Sequence, residues 1–126
     1  MERVLFDTNF ILTCLKEKID FLDANKFGKI VVPLEVLEEL KKISKDEERK
    51  SKERRLAEVA LQVIEKNKKN IEFISLGKRF VDRGIIDYAE RSMETIIIAS
   101  LDKNLRRKIK GRNFLSIKPR KKIMLV

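Results

Sequence analysis

The sequence predicts an α/β fold of three layers (α/β/α), in which a central, mainly parallel sheet lies between two layers of helices. Short apolar runs alternate with longer segments in which apolar residues recur every three or four positions, as in strands that alternate with amphipathic helices. The isoleucine-rich run 95–99 shows no polar alternation, which is typical of a strand buried on both faces of a parallel sheet. Neither an internal repeat nor a linker rich in proline, glycine or serine interrupts the 126 residues, so we expect one domain over residues 1–126.

In the first half of the chain we expect two strands and three helices. The apolar run 4–6 is the first strand, and Thr8 or Asn9 can cap the following helix, whose apolar stripe reaches residue 22 and ends near Gly28. Residues 29–32 form the second strand, and Pro33 starts the next helix, because a proline in the first turn removes no helical hydrogen bond. The stripe of that helix reaches residue 43, and a third helix over 56–64 follows the charged stretch 41–55.

The second half continues the alternation of strands and helices. We expect a strand over 71–74, a helix over 82–92, the strand 95–99, a helix over 102–110 and two terminal strands over 114–117 and 121–125. Parallel neighbours require crossover connections, which are right-handed and lay their helices on the faces of the sheet.

Charge and composition narrow the class of partner. Thirty Lys and Arg against twenty Asp and Glu give a formal net charge of +10, which favours a polyanion such as RNA. Abundant Lys and Glu also fit the heat-adapted surface of a thermophile protein, and the two explanations are compatible. The single cysteine, Cys14, excludes an internal disulfide framework and falls in an apolar stripe, as a buried thiol does. With no signal peptide or stretch of transmembrane length, we expect a soluble, cytoplasmic protein with no membrane partner.

The chain contains no histidine, which excludes several kinds of active site. Imidazole acid–base chemistry, nucleophiles activated by histidine and zinc sites with histidine ligands are all ruled out. A metal would therefore be bound by oxygen ligands, which suit Mg²⁺ or Mn²⁺.

Two acids directly follow expected strands. Asp7 comes after the first strand, and Asp102 comes three residues after the isoleucine-rich one. Ligands of an open parallel sheet bind at the carboxyl ends of its strands, so both acids are candidate metal ligands. Each is equally well explained as the N-cap of the next helix.

Helical angles separate the remaining acids, at about 100° per residue. On the helix after Pro33, Glu38 falls opposite the apolar stripe, and Glu39 falls at the boundary of the buried side. On the helix over 82–92, Asp82 falls on the centre line of the stripe, and Asp87 lies about 140° away and should be solvated. That stripe consists of Ile85, Ile86, Ala89 and Met93. An inward acid in a first turn needs a partner, and a metal ion or the free N–H groups of the helix start can serve.

Four segments together resemble the PIN domain family of metal-dependent ribonucleases, over nearly the whole chain. They are Val-Leu-Phe-Asp-Thr-Asn (4–9), Val-Pro-Leu-Glu-Val-Leu-Glu-Glu-Leu (32–40), Val-Asp-Arg-Gly-Ile-Ile (81–86) and Ala-Ser-Leu-Asp-Lys-Asn-Leu (99–105). The resemblance implies a PIN-like fold that hydrolyses RNA phosphodiester bonds with one or two Mg²⁺ or Mn²⁺ ions. It implies that the catalytic and metal-binding acids are Asp7, Glu39, Asp82 and Asp102, and that the supporting residues are Thr8, Asn9, Ser100 and Asn104.

Two positions depart from the family pattern, and they keep a second reading open. Arg83 stands where the family has a second Asp, and Asn104 stands where an acid is sometimes found. Both lower the negative charge near the acids, and therefore bear on the affinity for metal and on the number of ions bound. The alternative is a catalytically weak PIN-like module that binds RNA or a protein. An aspartyl phosphatase of similar layout would need a second acid where Asn9 stands.

The last expected helix and the residues after it supply candidate RNA contacts. These are Lys103, Arg106, Arg107, Lys108, Lys110 and Arg112, and the alternative is a solvated basic surface. With one Tyr and no Trp we expect contacts to the RNA backbone rather than base stacking. Two roles stay open within the family: the toxin of a toxin–antitoxin pair, dimeric and bound by an antitoxin, or a ribosomal-RNA-processing nuclease with a ribosome-assembly partner. The segments 39–43 and 102–109 resemble the ribosomal-RNA-processing branch somewhat more.

Overall fold

Six strands pair into one sheet in the computed structural model, which describes residues 2–78, 80–118 and 122–126. They are β1 (Arg3–Phe6), β2 (Lys29–Pro33), β3 (Ile71–Ile74), β4 (Ile96–Ala99), β5 (Asn113–Lys118) and β6 (Lys122–Leu125). The order across the sheet is β3-β2-β1-β4-β5-β6. Every neighbouring pair is parallel except β5 with β6, so the expected mainly parallel sheet is confirmed.

Five α-helices and two 3₁₀ helices connect the strands within these residues. The α-helices are α1 (Thr8–Lys16), α2 (Leu34–Lys45), α3 (Ser51–Lys66), α4 (Val81–Arg91) and α5 (Lys103–Lys108), and the 3₁₀ helices are Phe21–Lys26 and Lys68–Asn70. Helices α1, α2 and α3 contact one another, and α4 contacts α5. From β1 the chain runs through β2 to β3 at one edge of the sheet, and it then crosses back to β4 and continues through β5 to β6 at the other edge. Because the crossovers are right-handed, helices α1 to α3 lie on one face of the sheet and helices α4 and α5 lie on the other. The three-layer α/β/α fold is confirmed.

The central strands β1 and β4 carry the middle of the core. Residues 4–6 and 96–99 are all buried, as expected for strands covered on both faces. The aromatic rings of Phe10 and Phe21 each lie 5.8 Å from that of Phe6, centroid to centroid, and all three side chains are buried. This packing fixes the start of α1, and with it the residue that precedes the helix.

The first helix differs from the expectation at both ends. Its N-cap residue is Asp7, as one of the two explanations of that acid required, and not Thr8 or Asn9; the helix ends at Lys16, although its apolar stripe predicts an end near Gly28. Lys18 has a left-handed backbone (φ 60°), which breaks the helix. The apolar residues Ile19 and Phe21 are still buried, because the turn and the following 3₁₀ helix direct them into the core. The spacing of apolar residues alone could not reveal that the helix ends before Ile19.

The ends of two later helices also differ from the expectation. Helix α4 ends at Arg91, so Met93 lies beyond it and is 100% exposed. Helix α5 ends at Lys108, which leaves Lys110 in the turn that precedes β5. Lys121, with which the expected last strand began, lies outside the described residues. Among the helices described here, none is long and apolar enough to cross a lipid bilayer.

Candidate active site

The carboxyl ends of β1 and β4 form the crevice where a ligand of this fold binds. The two strands are parallel neighbours, and the chain leaves them towards opposite edges of the sheet. Such a point separates the two following loops and opens a crevice between them. Asp7 directly follows β1, Ser100 directly follows β4, and the amide of Asp7 donates to the carbonyl of Ala99 at 3.0 Å.

Ser100 joins two of the candidate acids. Its Oγ donates to Oδ2 of Asp7 at 2.9 Å and accepts a hydrogen bond from the amide of Asp102 at 3.1 Å. Both Asp7 and Ser100 are buried. Oδ1 of Asp102 accepts from the amides of Asn104 (2.9 Å) and Leu105 (3.3 Å). Asp102 is therefore an N-cap, as one of its two explanations required, and these two bonds fix its carboxylate at the start of α5.

Asp7 lies in an unfavourable place for a negative charge. It occupies the N-cap position of α1, but its side chain makes no capping hydrogen bond. Burial raises the pKa of Asp7 to about 6; the hydrogen bond from Ser100 opposes this rise, and the charges of Asp82 and Glu39 add to it. Asp82 and Glu39 are therefore near enough to Asp7 to raise its pKa by charge repulsion, although they come from different helices.

Glu39 has the burial that helical angle predicted. It lies in the second turn of α2 and is half-buried, whereas Glu38 beside it is exposed. The start of α2 directly after β2 carries Glu39 to the same edge of the sheet as Asp7.

Asp82 does not face the core, so the angle prediction was wrong for this residue. It is exposed in the first turn of α4. The observed stripe of α4 consists of Val81, Gly84, Ile85 and Ala89. This stripe lacks Ile86 and Met93 and gains Val81 and Gly84, so its centre is turned, and Asp82 lies about 85° from it at 100° per residue. Asp87 is half-buried rather than solvated, and it pairs with Arg91 at 2.9 Å.

Asp7 and Asp102 follow the ends of neighbouring strands, and the charges of Glu39 and Asp82 act on Asp7, but the four acids do not form a closed cage. Among residues 2–78, 80–118 and 122–126, no three acidic side chains converge closely enough to hold an ion by themselves. Thr8 is buried next to Asp7, and its Oγ1 has no hydrogen-bond partner among the described residues. A buried hydroxyl without a partner is costly and is unusual away from functional sites.

The other two supporting residues, Asn9 and Asn104, have exposed side chains. Asn9 is exposed and lines a separate cleft with Lys16, Arg49 and other residues of α1 to α3. Asn104 is exposed, and it supports Asp102 through its backbone amide.

The candidate RNA contacts divide into two kinds. Five are exposed on α5 or just after it: Lys103, Arg106, Arg107, Lys108 and Lys110. The guanidinium of Arg106 also lies 5.6 Å from the ring centroid of Phe114. Arg112 instead donates to the carbonyls of Ala89, Ser92 and Glu94 at 2.8 to 3.0 Å. These bonds satisfy carbonyls at and beyond the end of α4, so Arg112 stabilises the helix terminus.

Glu35 is a residue that the sequence analysis missed. Its carboxylate accepts hydrogen bonds from the amides of Leu76 (2.9 Å) and Gly77 (3.1 Å) and from Oγ of Ser75 (3.1 Å). These bonds lower the pKa of Glu35 against the opposing effect of its burial. Glu35 thereby ties α2, which carries Glu39, to the loop before α4. No local pattern could have found it, because its partners lie about forty positions away.

Glycine at position 84 allows that loop to lie close to α4. A Cβ at Gly84 would come within 2.7 Å of the Cβ of Leu76, which is closer than side chains tolerate. The contact sets the distance between the loop and the helix that carries Asp82.

Comparison with known proteins agrees with this arrangement. The sequence model of the PIN domain family matches residues 4–118. Ribonuclease VapC4 of Methanocaldococcus jannaschii is 30% identical over 118 residues, which cover 90% of this chain and 86% of that protein. The matched region extends from β1 through β5 and so includes all four acids. The chain belongs to the PIN domain family.

Proposed function

We propose that this protein is a metal-dependent endoribonuclease that hydrolyses RNA phosphodiester bonds in the crevice between β1 and β4. The main support for the proposal is the buried carboxylate of Asp7. Burial raises its pKa to about 6, and the negative charges of Asp82 and Glu39 add to the rise. At neutral pH this carboxylate is ionised in a place where burial and two like charges disfavour its charge, and a bound cation would offset that cost. The family and a relative named as a ribonuclease support the same conclusion.

The residues at this edge suit Mg²⁺ or Mn²⁺. In the proposal Asp7, Glu39, Asp82 and Asp102 hold one or two ions, because hard cations prefer carboxylate oxygens and the chain has no histidine. The unpartnered Oγ1 of Thr8 fits a site in which a metal or its water supplies the missing partner. When bound, the ions supply an activated water and stabilise the oxygens of the phosphodiester.

The chain's own groups orient the acids and the substrate. Ser100 fixes one oxygen of Asp7, and the first amides of α5 fix Asp102. The exposed cations of α5 begin at Lys103, the residue after Asp102, so they can hold phosphates beside the acids.

Of the two roles that the sequence leaves open, we propose the toxin of a toxin–antitoxin pair. The likeness to Ribonuclease VapC4 supports this choice over the ribosomal-RNA-processing role. An antitoxin partner, a homodimer and a cytoplasmic location belong to this proposal. The ribosomal-RNA-processing role and the heat-adapted surface stay predictions from the sequence.

Cleavage of a labelled single-stranded RNA by the purified protein tests the proposal. We expect cleavage with Mg²⁺ or Mn²⁺, none after EDTA, and none by Asp7→Asn. Glu38→Gln is the matched control, because Glu38 adjoins Glu39 but is exposed, and it should cleave normally. RNA that is bound but never cleaved would favour the binding module, and cleavage that survives both EDTA and Asp7→Asn would contradict the metal site.

A further inference from the structure

Strand β6 lies at one side of the sheet, and the described part of the chain leaves its outer edge unpaired. It is the last strand in the order β3-β2-β1-β4-β5-β6, and β5 is its one neighbour among the described strands. An edge strand exposes backbone N–H and C=O groups that can pair with another extended chain. The edge of β6 is therefore a candidate interaction surface.

The register with β5 shows which backbone groups of β6 point outward. The amide of Val126 donates to the carbonyl of Phe114 at 2.8 Å, and the amide of Phe114 donates to the carbonyl of Val126 at 3.5 Å. Bonded and non-bonded pairs alternate along an antiparallel ladder, so Met124 also bonds to β5, and Ile123 and Leu125 direct their N–H and C=O groups away from it. Among the residues that the structure describes, none forms a backbone hydrogen bond with these groups of Ile123 and Leu125.

The side chains along this edge are apolar and basic. Leu125 is 44% exposed, and an edge strand with exposed apolar side chains favours pairing with another chain. Lys118 and Lys122 are exposed and lie directly opposite each other in the ladder of β5 and β6. Like charges in that position destabilise a sheet, and within the described ranges neither lysine forms an ion pair. A carboxylate beside Lys122 would relieve the repulsion.

The surroundings of β6 contain more cations than acids. Residues 103–126 include no Asp or Glu. The 3₁₀ helix Phe21–Lys26, which contacts β6, brings Lys26 together with Asp23 and the N-cap residue Asp20. Asp20 is engaged as the cap of that helix, because its carboxylate accepts a hydrogen bond from the amide of Leu22 at 3.0 Å. The charge at this edge is thus complementary to an acidic partner.

We propose that the free edge of β6 binds an extended segment of a partner protein, in which acidic and apolar side chains alternate, as an additional strand of the sheet. The backbone of the segment bonds to Ile123 and Leu125, its apolar side chains lie on the face of the sheet that carries these two residues, and an acid lies beside Lys122 on the other face. The inference does not depend on the nuclease function, because none of the four candidate acids lies on β6.

Two other occupants fit this edge less well. The phosphates of RNA accept hydrogen bonds but have no N–H groups to donate to the carbonyls of Ile123 and Leu125, whereas a peptide backbone supplies donors and acceptors at the required spacing. A second copy of this chain that paired through β6 would bring no acid to Lys122, because residues 103–126 contain none.

Amide hydrogen exchange measured by NMR shows whether the edge is occupied. The probe is a synthetic peptide of about nine residues, the upper length of an ordinary strand, in which valine alternates with glutamate. We expect the amides of Ile123 and Leu125 to exchange fast in the free protein and roughly 10-fold more slowly with saturating peptide. The amide of Met124 bonds to β5, so it should be protected in both states and is the internal control.

Modified peptides test the backbone and the charge separately. N-methylation of one alternating set of peptide amides should abolish binding and methylation of the other set should not, because only one set faces β6. Lysine in place of glutamate should weaken binding about 5-fold. Lys122→Glu should reverse this preference for glutamate. Lys52→Glu, the same change of charge on an exposed position of α3, should leave it unchanged, and thermal unfolding establishes that both variants fold.

Three outcomes would overturn the proposal. The first is fast exchange of Ile123 and Leu125 at saturating peptide. The second is protection of these amides that rises with protein concentration in the absence of peptide, which would identify a second copy as the occupant. The third is protection by a single-stranded RNA and not by the peptide, which would identify nucleic acid. Failure to cleave RNA would refute the proposed function and leave this inference intact, since the exchange experiment needs no activity.

Discussion

Oγ of Ser100 lies 2.9 Å from Oδ2 of Asp7, and it donates the hydrogen bond that ties the ends of β1 and β4 together. The two residues are 93 positions apart in the chain, and both are buried. The same hydroxyl accepts from the amide of Asp102, so one side chain fixes two candidate metal ligands. The pKa of Asp7 would be higher still without this bond.

Replacing Ser100 tests that bond. Ser100→Ala leaves a buried carboxylate oxygen and an amide without their partner, which should cost about 1–3 kcal/mol of unfolding free energy. Metal affinity should fall about 10- to 100-fold, as is usual when the group that orients a ligand is removed. Ser100→Thr keeps the hydroxyl and should retain most activity. Chemical denaturation and cleavage rate against Mg²⁺ concentration measure both effects, and a fully active Ser100→Ala would exclude the orienting role.

Because burial raises the pKa of Asp7, its ionisation should lower the free energy of unfolding as the pH rises. The unfolded carboxyl ionises near its ordinary value of 3.8 and the folded one near 6, so folding is penalised as pH rises through this window. Below about pH 3 the carboxyl is protonated in both states and the penalty disappears. In EDTA, Asp7→Asn should therefore be more stable than wild type above pH 6, by up to roughly 3 kcal/mol, and equal to it near pH 3.

Mg²⁺ should reverse this order at pH 7, because only the wild-type carboxylate gains stability from binding the ion. Thermal unfolding at several pH values, with and without Mg²⁺, measures both effects. An Asn variant that is less stable than wild type at pH 7 in EDTA would show that Asp7 is not strained by burial.

Replacing Glu35 should lower both the stability of the protein and its affinity for metal. Glu35→Ala removes three hydrogen bonds to the loop 75–77 and should cost about 2 kcal/mol. Because the loop positions α4 relative to α2, metal affinity should fall as well. Glu38 lies on the same helix and lines one cleft together with Glu35. Because it is exposed, Glu38→Ala should change the free energy of unfolding by less than about 0.5 kcal/mol. Urea denaturation and Mg²⁺ titration of cleavage compare the two, and equal behaviour would refute the connecting role.

The basic residues near the C-terminus should behave as two groups. Replacing Arg107 and Lys108 by Ala should weaken RNA binding and lower its salt dependence, by a slope of about 0.7 for each RNA phosphate that the variant no longer binds. Arg112→Ala should instead destabilise the protein, because three backbone carbonyls lose their donor, and leave the salt slope unchanged. Affinity measured against salt concentration, together with thermal unfolding, separates the two. A reduced slope in Arg112→Ala would mean that this side chain binds RNA.

The sequence by itself determined which elements form and where most acids lie along them. The alternation of apolar runs and stripes predicted the six strands and five helices, and the positions of Asp7 and Asp102 after strands placed both at one edge of the sheet. Helical angle separated Glu39 from Glu38 correctly. These features depend on neighbours within a turn or a strand, so local pattern carries them.

Only the tertiary structure decided how these side chains meet. Asp82 is exposed because α4 ends before Met93 and packs along a different stripe. The pKa of Asp7, the bond from Ser100, the loop held by Glu35 and the use of Arg112 at the end of α4 all join residues distant in sequence. Such contacts follow from the order of strands in the sheet and the approach of α4 to its loop. Neither periodicity nor composition encodes them, because each depends on which distant segments become neighbours.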